Sequence, residues 1–289
     1  MTGSALDAFE EQRPVLFGIA YRMLASIADA EDVLQDAWLR WSAIDPGRLE
    51  QPRAYLARTV TNLSINRLRS AAARRESYAG PWLPEPLVTA DDPAHPFQQA
   101  EAVSLAMLVV LETLSPLERA VFVLKDVFGF SHAEIATILD RDQAAVRQVG
   151  SRARSHVQAR RPRYDAPAGT RRRVTEQFLA ACLGGDLNVM MELLAPDVTA
   201  WTDGGGKIRA ARRPLRGADH VARWILGVLR LSLPSPAVHR VLVNGQPGLL
   251  VTSAGIPDNV LVADLREDGK IEAIRLIRNP DKLSHVTTR

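Results

Sequence analysis

The chain has 289 residues, of which 46% are hydrophobic and 24% charged, and a formal net charge of +3. This composition excludes a disordered chain, and the length favours two or three domains, of which we expect three small ones. The single cysteine, Cys182, excludes a disulfide framework and a thiolate metal site, and no segment approaches the roughly 20 apolar residues that span a bilayer. We therefore expect a cytoplasmic protein with no membrane contact, no metal and no cofactor.

The basic residues are clustered along the chain, which favours a polyanionic partner. Solvated helix faces and a charged linker are the alternative explanation for such runs. The clusters are Arg67, Arg69, Arg74 and Arg75; then Arg141, Arg147, Arg152, Arg154, Arg160, Arg161 and Arg163; and finally Arg171 to Arg173.

The N-terminal segment, residues 1–78, is predicted to be helical up to about Ala72. Because proline suits the first turn of a helix, we expect the first helix to begin near Pro14. The next helix has apolar residues at helical spacing from Ala30 to Trp41. Its opposite face carries Glu31, Asp32, Gln35 and Asp36. The Ser42–Pro52 loop follows, and then a long helix that aligns Arg58, Asn62, Asn66 and Arg69 on one side.

Residues 79–100 are predicted to be an interdomain linker. Five prolines between Ala79 and Pro96 exclude a helix and favour extended backbone. Trp82, Leu83 and Leu87 are nevertheless apolar, so we expect this linker to dock against another domain.

Residues 101–160 are predicted to be a second helical domain. Ser115 with Glu118, and Ser131 with Glu134, form capping boxes, in which serine and glutamate side chains satisfy free amides at a helix start. After the second box come a short helix, a tight turn near Asp140 and a longer helix with an arginine-rich outer face. This order is typical of a helix-turn-helix.

A second linker, residues 161–169, precedes a predicted α+β domain, residues 170–289. Helices are expected at about 170–183, 187–194 and 218–230, and strands at 198–202, 238–243, 249–254, 260–266 and 271–277. Asn244-Gly245 and Asp268-Gly269 are strong signals for hairpin turns.

Three segments together resemble regions 2 and 4 of extracytoplasmic-function sigma factors, over about residues 6 to 160. They are DAEDVLQD at 29–36, TVTNLSINRLR at 59–69 and LSPLERAVFVL at 114–124, with the helix-turn-helix at a fixed distance. The C-terminal third resembles the SnoaL-like, NTF2-type cone fold. Three further strings are similar to those of a sigma subgroup that carries this domain in place of a separate anti-sigma partner: WLPEP at 82–86, DGGGK at 203–207 and NPDKL at 279–283.

The resemblance implies two all-α domains, sigma regions 2 and 4, followed by a cone domain with a curved antiparallel sheet. It implies that the acidic helix face contacts the β′ clamp helices of RNA polymerase core, that region 4 contacts the β flap, and that the polar face of the third helix binds the −10 element. The second helix of the helix-turn-helix would bind the −35 element through Gln143, Arg147, Gln148, Ser151, Arg152 and Arg154. Arginine and glutamine can contact guanine and adenine bidentately, whereas Arg152 and Arg154 suit phosphate.

The resemblance also implies an intramolecular regulatory contact among the three strings of the subgroup. Its members are Trp82, Leu83, Pro84, Glu85 and Pro86; Asp203, Gly204, Gly205, Gly206 and Lys207; and Asn279, Pro280, Asp281, Lys282 and Leu283. We expect the free protein to be monomeric, and the cone domain leaves room for an unidentified small ligand.

Two alternatives stay open at the level of sequence. A ligand-responsive activator could use the same helix-turn-helix, although it would not need the acidic helix. An enzyme of the cyclase or isomerase class could share the cone fold, with Asp203, His220 and His239 as candidate acids and bases. Because fold alone does not imply catalysis, we expect no enzymatic activity.

Overall fold

The computed structural model describes residues 5–44, 49, 51–76, 78–90, 103–160, 164, 166–230 and 234–287. The chain forms two compact units, one of Met1–Glu76 with Leu108–Arg161 and one of Ser77–Met107 with Pro162–Arg289. Most of the tip of the Ser42–Pro52 loop, the prolines Pro93 and Pro96, and Arg161 and Arg163 lie outside the described residues. None of the described helices is long and apolar enough to cross a membrane.

The N-terminal half of the first unit is a bundle of α1 (Ala5–Leu24), α2 (Ile27–Ser42) and α3 (Pro52–Glu76). The expected start of the first helix near Pro14 is wrong, because Pro14 lies inside α1. Tertiary contacts hold the earlier turns: Phe9 packs edge-on against Trp38 with ring centroids 5.2 Å apart, and Trp41 Nε1 donates to the carbonyl of Ala5 at 2.7 Å. These contacts offset the cost of an interior proline.

The rest of the first unit contains the predicted helix-turn-helix. The helices are α4 (Leu105–Leu111), α5 (Pro116–Phe122), α6 (His132–Leu139) and α7 (Gln143–Arg160), with a π-helical turn at Val123–Val127. Both predicted capping boxes are confirmed at the starts of α5 and α6. Asp140 ends α6 in the left-handed conformation, and the Asp142 carboxylate caps α7 by accepting from the amide of Ala144 at 2.9 Å.

The second unit is an α+β domain whose helices cover one curved sheet. Its helices are α8 (Ala168–Gly184), α9 (Leu187–Leu193), α10 (Ala218–Arg230) and α11 (Pro280–Leu283). Its strands are β1 (Val88–Ala90), β2 (Leu194–Asp203), β3 (Leu215–Arg216), β4 (Pro236–Val243), β5 (Gln246–Ser253), β6 (Ile256–Leu265) and β7 (Ile271–Ile277). The order in the sheet is β1-β4-β5-β6-β7-β2-β3.

The sheet is antiparallel, as predicted, except at one pair. Strands β2 and β7 run parallel, with Thr202 opposite Leu276 and Asp203 opposite Ile277. The long chain passage between these two strands permits this pairing, because a parallel pair needs a crossover connection. The edge strand β1 comes from the proline-rich linker and pairs with β4, Val88 opposite Val243.

Candidate functional site

The linker is held by Asp203, which is fully buried at the end of β2. One carboxylate oxygen accepts from the Tyr78 hydroxyl at 2.5 Å and from the amide of Gly205 at 3.0 Å. The other accepts from the amide of Leu83 at 2.8 Å and from the Lys282 ammonium at 2.8 Å. A single carboxylate therefore joins Tyr78 and Leu83 to Lys282 of α11. We call Asp203, Lys282 and the groups that they contact the linker site.

Lys282 is the second centre of the linker site. Its ammonium also donates to the carbonyl of Leu83 and lies 4.0 Å from the centre of the Trp82 ring. The Tyr78 ring is on another side, at 5.1 Å. A cation over an aromatic face is attracted by the ring quadrupole. The Lys282 ammonium therefore binds the Trp82 ring to the C-terminal domain. This contact accounts for the apolar tryptophan in a proline-rich linker.

The parallel pair explains why distant strings of sequence meet in the linker site. Strands β2 and β7 run in the same direction, so both end at one edge of the sheet. Asp203 ends β2, and Asn279 follows β7 as the N-cap of α11. Asn279 donates to the Tyr78 hydroxyl at 2.9 Å. The carboxyl ends of adjacent parallel strands are a common place for binding sites in sheets.

The glycines of the Asp203–Lys207 loop allow close packing. A Cβ on Gly204 would lie 2.4 Å from the carbonyl oxygen of Ile208. Gly205 has φ +63°, and its Cβ would lie 2.5 Å from the Asn279 side chain. A side chain at either position would displace neighbouring backbone or the cap of α11. Lys207 pairs with Asp281 at 2.7 Å on the surface.

The middle of the described part of the linker is buried. The residues Leu83, Pro84, Glu85 and Pro86 are all classed as buried. The carbonyl of Pro86 contacts His285 Nε2 at 2.8 Å, and Leu87 exchanges hydrogen bonds with Asn244. Sequence reasoning missed Tyr78, Asn244 and His285, because none belongs to a recognisable string. The nearest signal was the Asn244-Gly245 turn, which explained Asn244 as a hairpin residue.

Burial changes the chemistry of the groups in this domain. Burial and the hydrogen bond to Asp203 raise the pKa of Tyr78, so its hydroxyl stays protonated and donates. Burial also raises the pKa of Cys182 to about 12, which makes this thiol an inert apolar group at neutral pH.

The acidic face of α2 is solvent-exposed over most of its length. Asp32, Gln35 and Asp36 are exposed, whereas Glu31 is half-buried and accepts from Arg13 at 2.6 Å. Arg67 of α3 pairs with Asp32 at 2.5 Å. Leu39, which lies one turn after Gln35, is 60% exposed. An exposed leucine beside acids is suited to a protein partner.

The polar face of α3 forms one wall of a cleft of about 260 Å³ within the first unit. Asn62, Asn66 and Arg69 line it, and the opposite wall is formed by Leu117, Leu139 and Arg141 of the helix-turn-helix half. Arg58, the fourth residue of the predicted face, is exposed outside this cleft. In this arrangement, the helices predicted to bind the −35 element partly cover the surface predicted to bind the −10 element.

Arg119 connects the two halves of the first unit. Its side chain is 2% exposed, donates through Nε to the carbonyl of Arg22 at 2.8 Å, and pairs with Glu112 at 2.6 Å. Burial lowers the pKa of the guanidinium to about 9. A buried charge of this kind is costly unless it is paired. The contact therefore determines how the two halves of the first unit are arranged more than it adds to the free energy of unfolding.

Most residues of the predicted recognition surface lie exposed on α7. Arg147, Gln148, Ser151 and Arg152 are exposed, and Gln143 is half-buried at the start of the helix. Arg154 instead pairs with Asp126 at 3.0 Å, which leaves its guanidinium partly engaged within the domain. Gly150 permits α5 and α7 to pack closely, since its Cβ would lie 3.3 Å from Val121.

The candidate acids and bases of the enzyme alternative have separate surroundings. His239 of β4 contacts Thr252 at 3.3 Å, His220 lies on the surface at the start of α10, and Asp203 is occupied in the linker site. Among the described residues there is also no cluster of His, Cys, Asp and Glu suited to a metal ion.

Comparison with known proteins decides the class. The family models for Sigma-70 region 2 and Sigma-70 region 4 match residues 8–74 and 104–157. The ECF RNA polymerase sigma factor SigJ of Mycobacterium tuberculosis (strain ATCC 25618 / H37Rv) is 42% identical, with 96% of this chain and 93% of SigJ covered. The chain belongs to the extracytoplasmic-function sigma factors.

Two further similarities extend over nearly the whole of this sigma factor. The probable ECF RNA polymerase sigma factor SigI of Mycobacterium tuberculosis (strain CDC 1551 / Oshkosh) is 32% identical over 96% of this chain and 93% of its own length. The crystal structure of Mycobacterium tuberculosis SigJ superimposes with a TM-score of 0.78 at 37% identity, covering 96% of this chain and 98% of that chain.

Family membership settles several expectations. This sigma factor acts with RNA polymerase core in promoter recognition and transcription initiation, through its region 2 and region 4 domains. Sigma factors are not enzymes, so the alternative of a cyclase or isomerase is wrong. The alternative of a ligand-responsive activator is also wrong, because the chain is a sigma factor. The second unit has the predicted α+β architecture, a largely antiparallel sheet with helices, which is here part of a sigma factor.

Proposed function

We propose that the C-terminal domain of this sigma factor holds it in a closed, inactive state by binding the linker between regions 2 and 4. The buried contact between Asp203, Lys282 and the linker backbone carries the proposal. Because the Leu83 amide donates to Asp203 and the Leu83 carbonyl accepts from Lys282, release of the linker would remove one hydrogen bond from each member of a buried ion pair.

Chain length gives this contact a mechanical effect. Helix α3 ends at Glu76 and α4 begins at Leu105, so the residues between them set how far the two regions can separate. An extended chain spans about 3.3 to 3.6 Å per residue. Fixing residues 78–90 on the C-terminal domain takes them out of the part of the chain that can lengthen between the two regions. A bound linker therefore favours region 2 and region 4 staying close.

The cleft in the first unit supports the same closed state. Asn62, Asn66 and Arg69 face Leu117, Leu139 and Arg141 across it. The −10 element would need Arg58 and these three residues, and bases taken from the stack need room beside them. Region 4 must move away before promoter melting can occur on this face.

The remaining surfaces would contact polymerase and the −35 element. Glu31, Asp32, Gln35 and Asp36, extended by the exposed Leu39, suit the β′ clamp helices, and region 4 would bind the β flap. Gln143, Arg147, Gln148 and Ser151 suit base edges, Arg152 suits phosphate, and Arg154 would first have to leave Asp126. As a partner of polymerase core, the protein would act in the cytoplasm, as a monomer when free.

The test is transcription in vitro with core polymerase and fragmented genomic DNA, followed by mapping of the 5′ ends. Asp203→Asn and Lys282→Met should each raise the transcript yield severalfold from the same start sites as the unaltered protein, because the tether is lengthened. Lys207→Met, which removes only an exposed pair of the same loop, is the matched control. Equal yields from all four proteins would contradict the proposal.

A further inference from the structure

The cleft between α3 and the helix-turn-helix half of the first unit has only positive charges in its wall. Among the described residues that line it, Arg69 and Arg141 are the two that carry a charge, one on each side. Both side chains are exposed, and neither guanidinium has a hydrogen bond or ion pair within the described part of the chain. Like charges across a gap repel, and an anion between them would convert that repulsion into attraction.

The polar residues of α3 meet in the cleft because of their spacing. Asn62, Asn66 and Arg69 follow one another at intervals of four and three residues, which places them on one face of the helix. The side-chain amides of Asn62 and Asn66 also make no hydrogen bond to other described residues. Each amide has two N–H donors, so this wall offers amide and guanidinium donors side by side.

Arg141 belongs to the tight turn of the helix-turn-helix. Asp140 has φ +51°, and the amide of Arg141 donates to the carbonyl of Ala136 at 2.9 Å, so the backbone of the turn is fixed. The neighbouring acids do not neutralise this arginine in the cleft. Asp140 is not part of the cleft wall, and the Asp142 carboxylate caps α7 by accepting from Ala144. The Arg141 guanidinium is therefore free to bind a ligand.

The cleft is large enough for a small organic anion. Its volume is about 260 Å³, whereas an apolar cavity of about 150 Å³ accommodates benzene. The apolar side chains of Ile65, Leu117 and Leu139 complete the lining. Such a lining suits a compound with a strongly charged group and a less polar remainder.

We propose that the cleft binds a small phosphate compound, no larger than a mononucleotide, whose phosphate accepts hydrogen bonds from both Arg69 and Arg141. A phosphate monoester carries about two negative charges and three terminal oxygens at neutral pH, which matches two guanidinium groups. A carboxylate has one charge and two oxygens, so it fits less well. Asn62 and Asn66 would bind the remainder of the compound or a further phosphate oxygen.

The ligand would join region 2 to region 4, because Arg69 and Arg141 belong to different regions. It therefore favours the arrangement in which the two regions are close, by its difference in affinity for the close and separated arrangements. The binding site does not depend on the proposed function, whereas its effect on recognition of the −10 element does.

The test uses the full-length protein at about 0.15 M salt, which screens diffuse attraction to exposed arginines. Adenosine monophosphate and inorganic phosphate are the probes, and adenosine is the uncharged control. Calorimetry should detect binding of a phosphate probe and none of adenosine. Arg69→Gln and Arg141→Gln should each weaken binding at least tenfold. Arg58→Gln, which removes an exposed arginine of α3 outside the cleft, should not. A preference of tenfold or more for the nucleotide would identify a nucleotide site, and equal affinities would identify a site for free phosphate.

A second measurement reports how the two regions are arranged. Dyes on cysteines that replace the exposed Glu10 of α1 and Gln158 of α7, in a Cys182→Ala background, follow the distance between the regions by energy transfer. Arg119→Met is the sensitive protein, because it lacks the buried contact between the regions. The bound probe should shorten the mean distance in this protein, and should not do so once Arg69→Gln is added.

The outcomes separate this site from the proposed function. Binding of neither phosphate probe, equal binding by Arg69→Gln and Arg141→Gln, or adenosine binding as tight as that of the nucleotide would overturn the site. Binding without a shorter distance would overturn its effect on the regions. If a phosphate probe binds through both arginines while Asp203→Asn leaves transcription unchanged, the site stands and the proposed function fails.

Discussion

The Lys282 ammonium and the Asp203 carboxylate form an ion pair at 2.8 Å in which the Asp203 side chain is fully buried and that of Lys282 is 10% exposed. Removing one partner of such a pair leaves the other charged and unpaired. Asp203→Asn should therefore lower the free energy of unfolding of the C-terminal unit by about 3 to 5 kcal/mol in urea denaturation. Lys207→Met breaks a pair that is mostly exposed, and should cost at most about 1 kcal/mol. Similar losses in the two variants would show that the Asp203 pair is not structurally important.

Gly205→Ala should weaken the linker site by distorting the Asp203–Lys207 loop, with the ion pair left in place. The left-handed backbone costs a non-glycine residue roughly 1 to 2 kcal/mol, and the new Cβ would also collide with Asn279. We expect a lower melting temperature and faster hydrogen exchange at Leu83. Gly184→Ala, at the end of α8 with no atom within 4 Å of the added Cβ, should be neutral or stabilising by up to about 1 kcal/mol. Unchanged exchange in Gly205→Ala would refute the role given to this loop.

Arg119→Met should loosen the contact between regions 2 and 4. The carbonyl of Arg22 and the Glu112 carboxylate would each lose one buried or partly buried hydrogen bond, at a cost of about 1 kcal/mol or more each. Dyes on cysteines that replace the exposed Glu10 and Gln158, in a Cys182→Ala background, would report a longer mean distance by energy transfer. Arg58→Met is the control, and circular dichroism should show that helix content is retained. A distance that stays the same in Arg119→Met would contradict this expectation.

Arg147→Ala should reduce promoter discrimination rather than general DNA affinity. A bidentate arginine contact is worth about 1 to 3 kcal/mol of discrimination, which corresponds to roughly 5- to 150-fold in binding. Binding of polymerase holoenzyme to the mapped promoter and to a version with altered −35 bases would measure it. Gln158→Ala, late on the same helix, should leave the ratio unchanged. If Arg147→Ala lowers binding to both DNAs equally, the side chain contacts phosphate only.

The capping box of α6 should make the start of the helix-turn-helix sensitive to acid. The hydrogen bonds from Ser131 lower the pKa of Glu134 below its ordinary value of 4.5. A lowered folded-state pKa contributes stability that is present above the unfolded-state pKa and is lost as pH falls through the folded-state value. Hydrogen exchange at the amide of Glu134 should therefore accelerate below about pH 4.5 relative to Glu134→Gln, which can form the same box without a charge. Parallel pH profiles in the two proteins would count against it.

Local signals in the sequence were accurate where one short segment determines the structure. Both capping boxes are formed, and Asn244-Gly245 makes its turn with φ +51° and +72°, as that dipeptide favours. Strand β7 has the bounds expected, and β6 begins at Ile256, four residues earlier than expected. Ala254-Gly255 makes a turn with both φ values positive, although no strong signal marked it.

The sequence predicted only some of the contacts between distant segments. The three strings predicted which segments matter, and the structure brings Leu83, Asp203 and Lys282 together. The parallel pairing of β2 with β7 could not be read from either strand, because register depends on both. The same holds for Tyr78, whose role depends on a carboxylate 125 positions away.

If release of the linker activates the protein, as we propose, the pairing of β1 with β4 adds a cost of activation beyond the linker site. Once the linker leaves, β4 becomes an edge strand with the free amides and carbonyls of residues 241–243 facing water. Such an edge is a template for pairing with another extended chain. The active protein should therefore be more prone to self-association than the closed one. Lasting activation requires a new strand on that edge, and without one the open state must be short-lived.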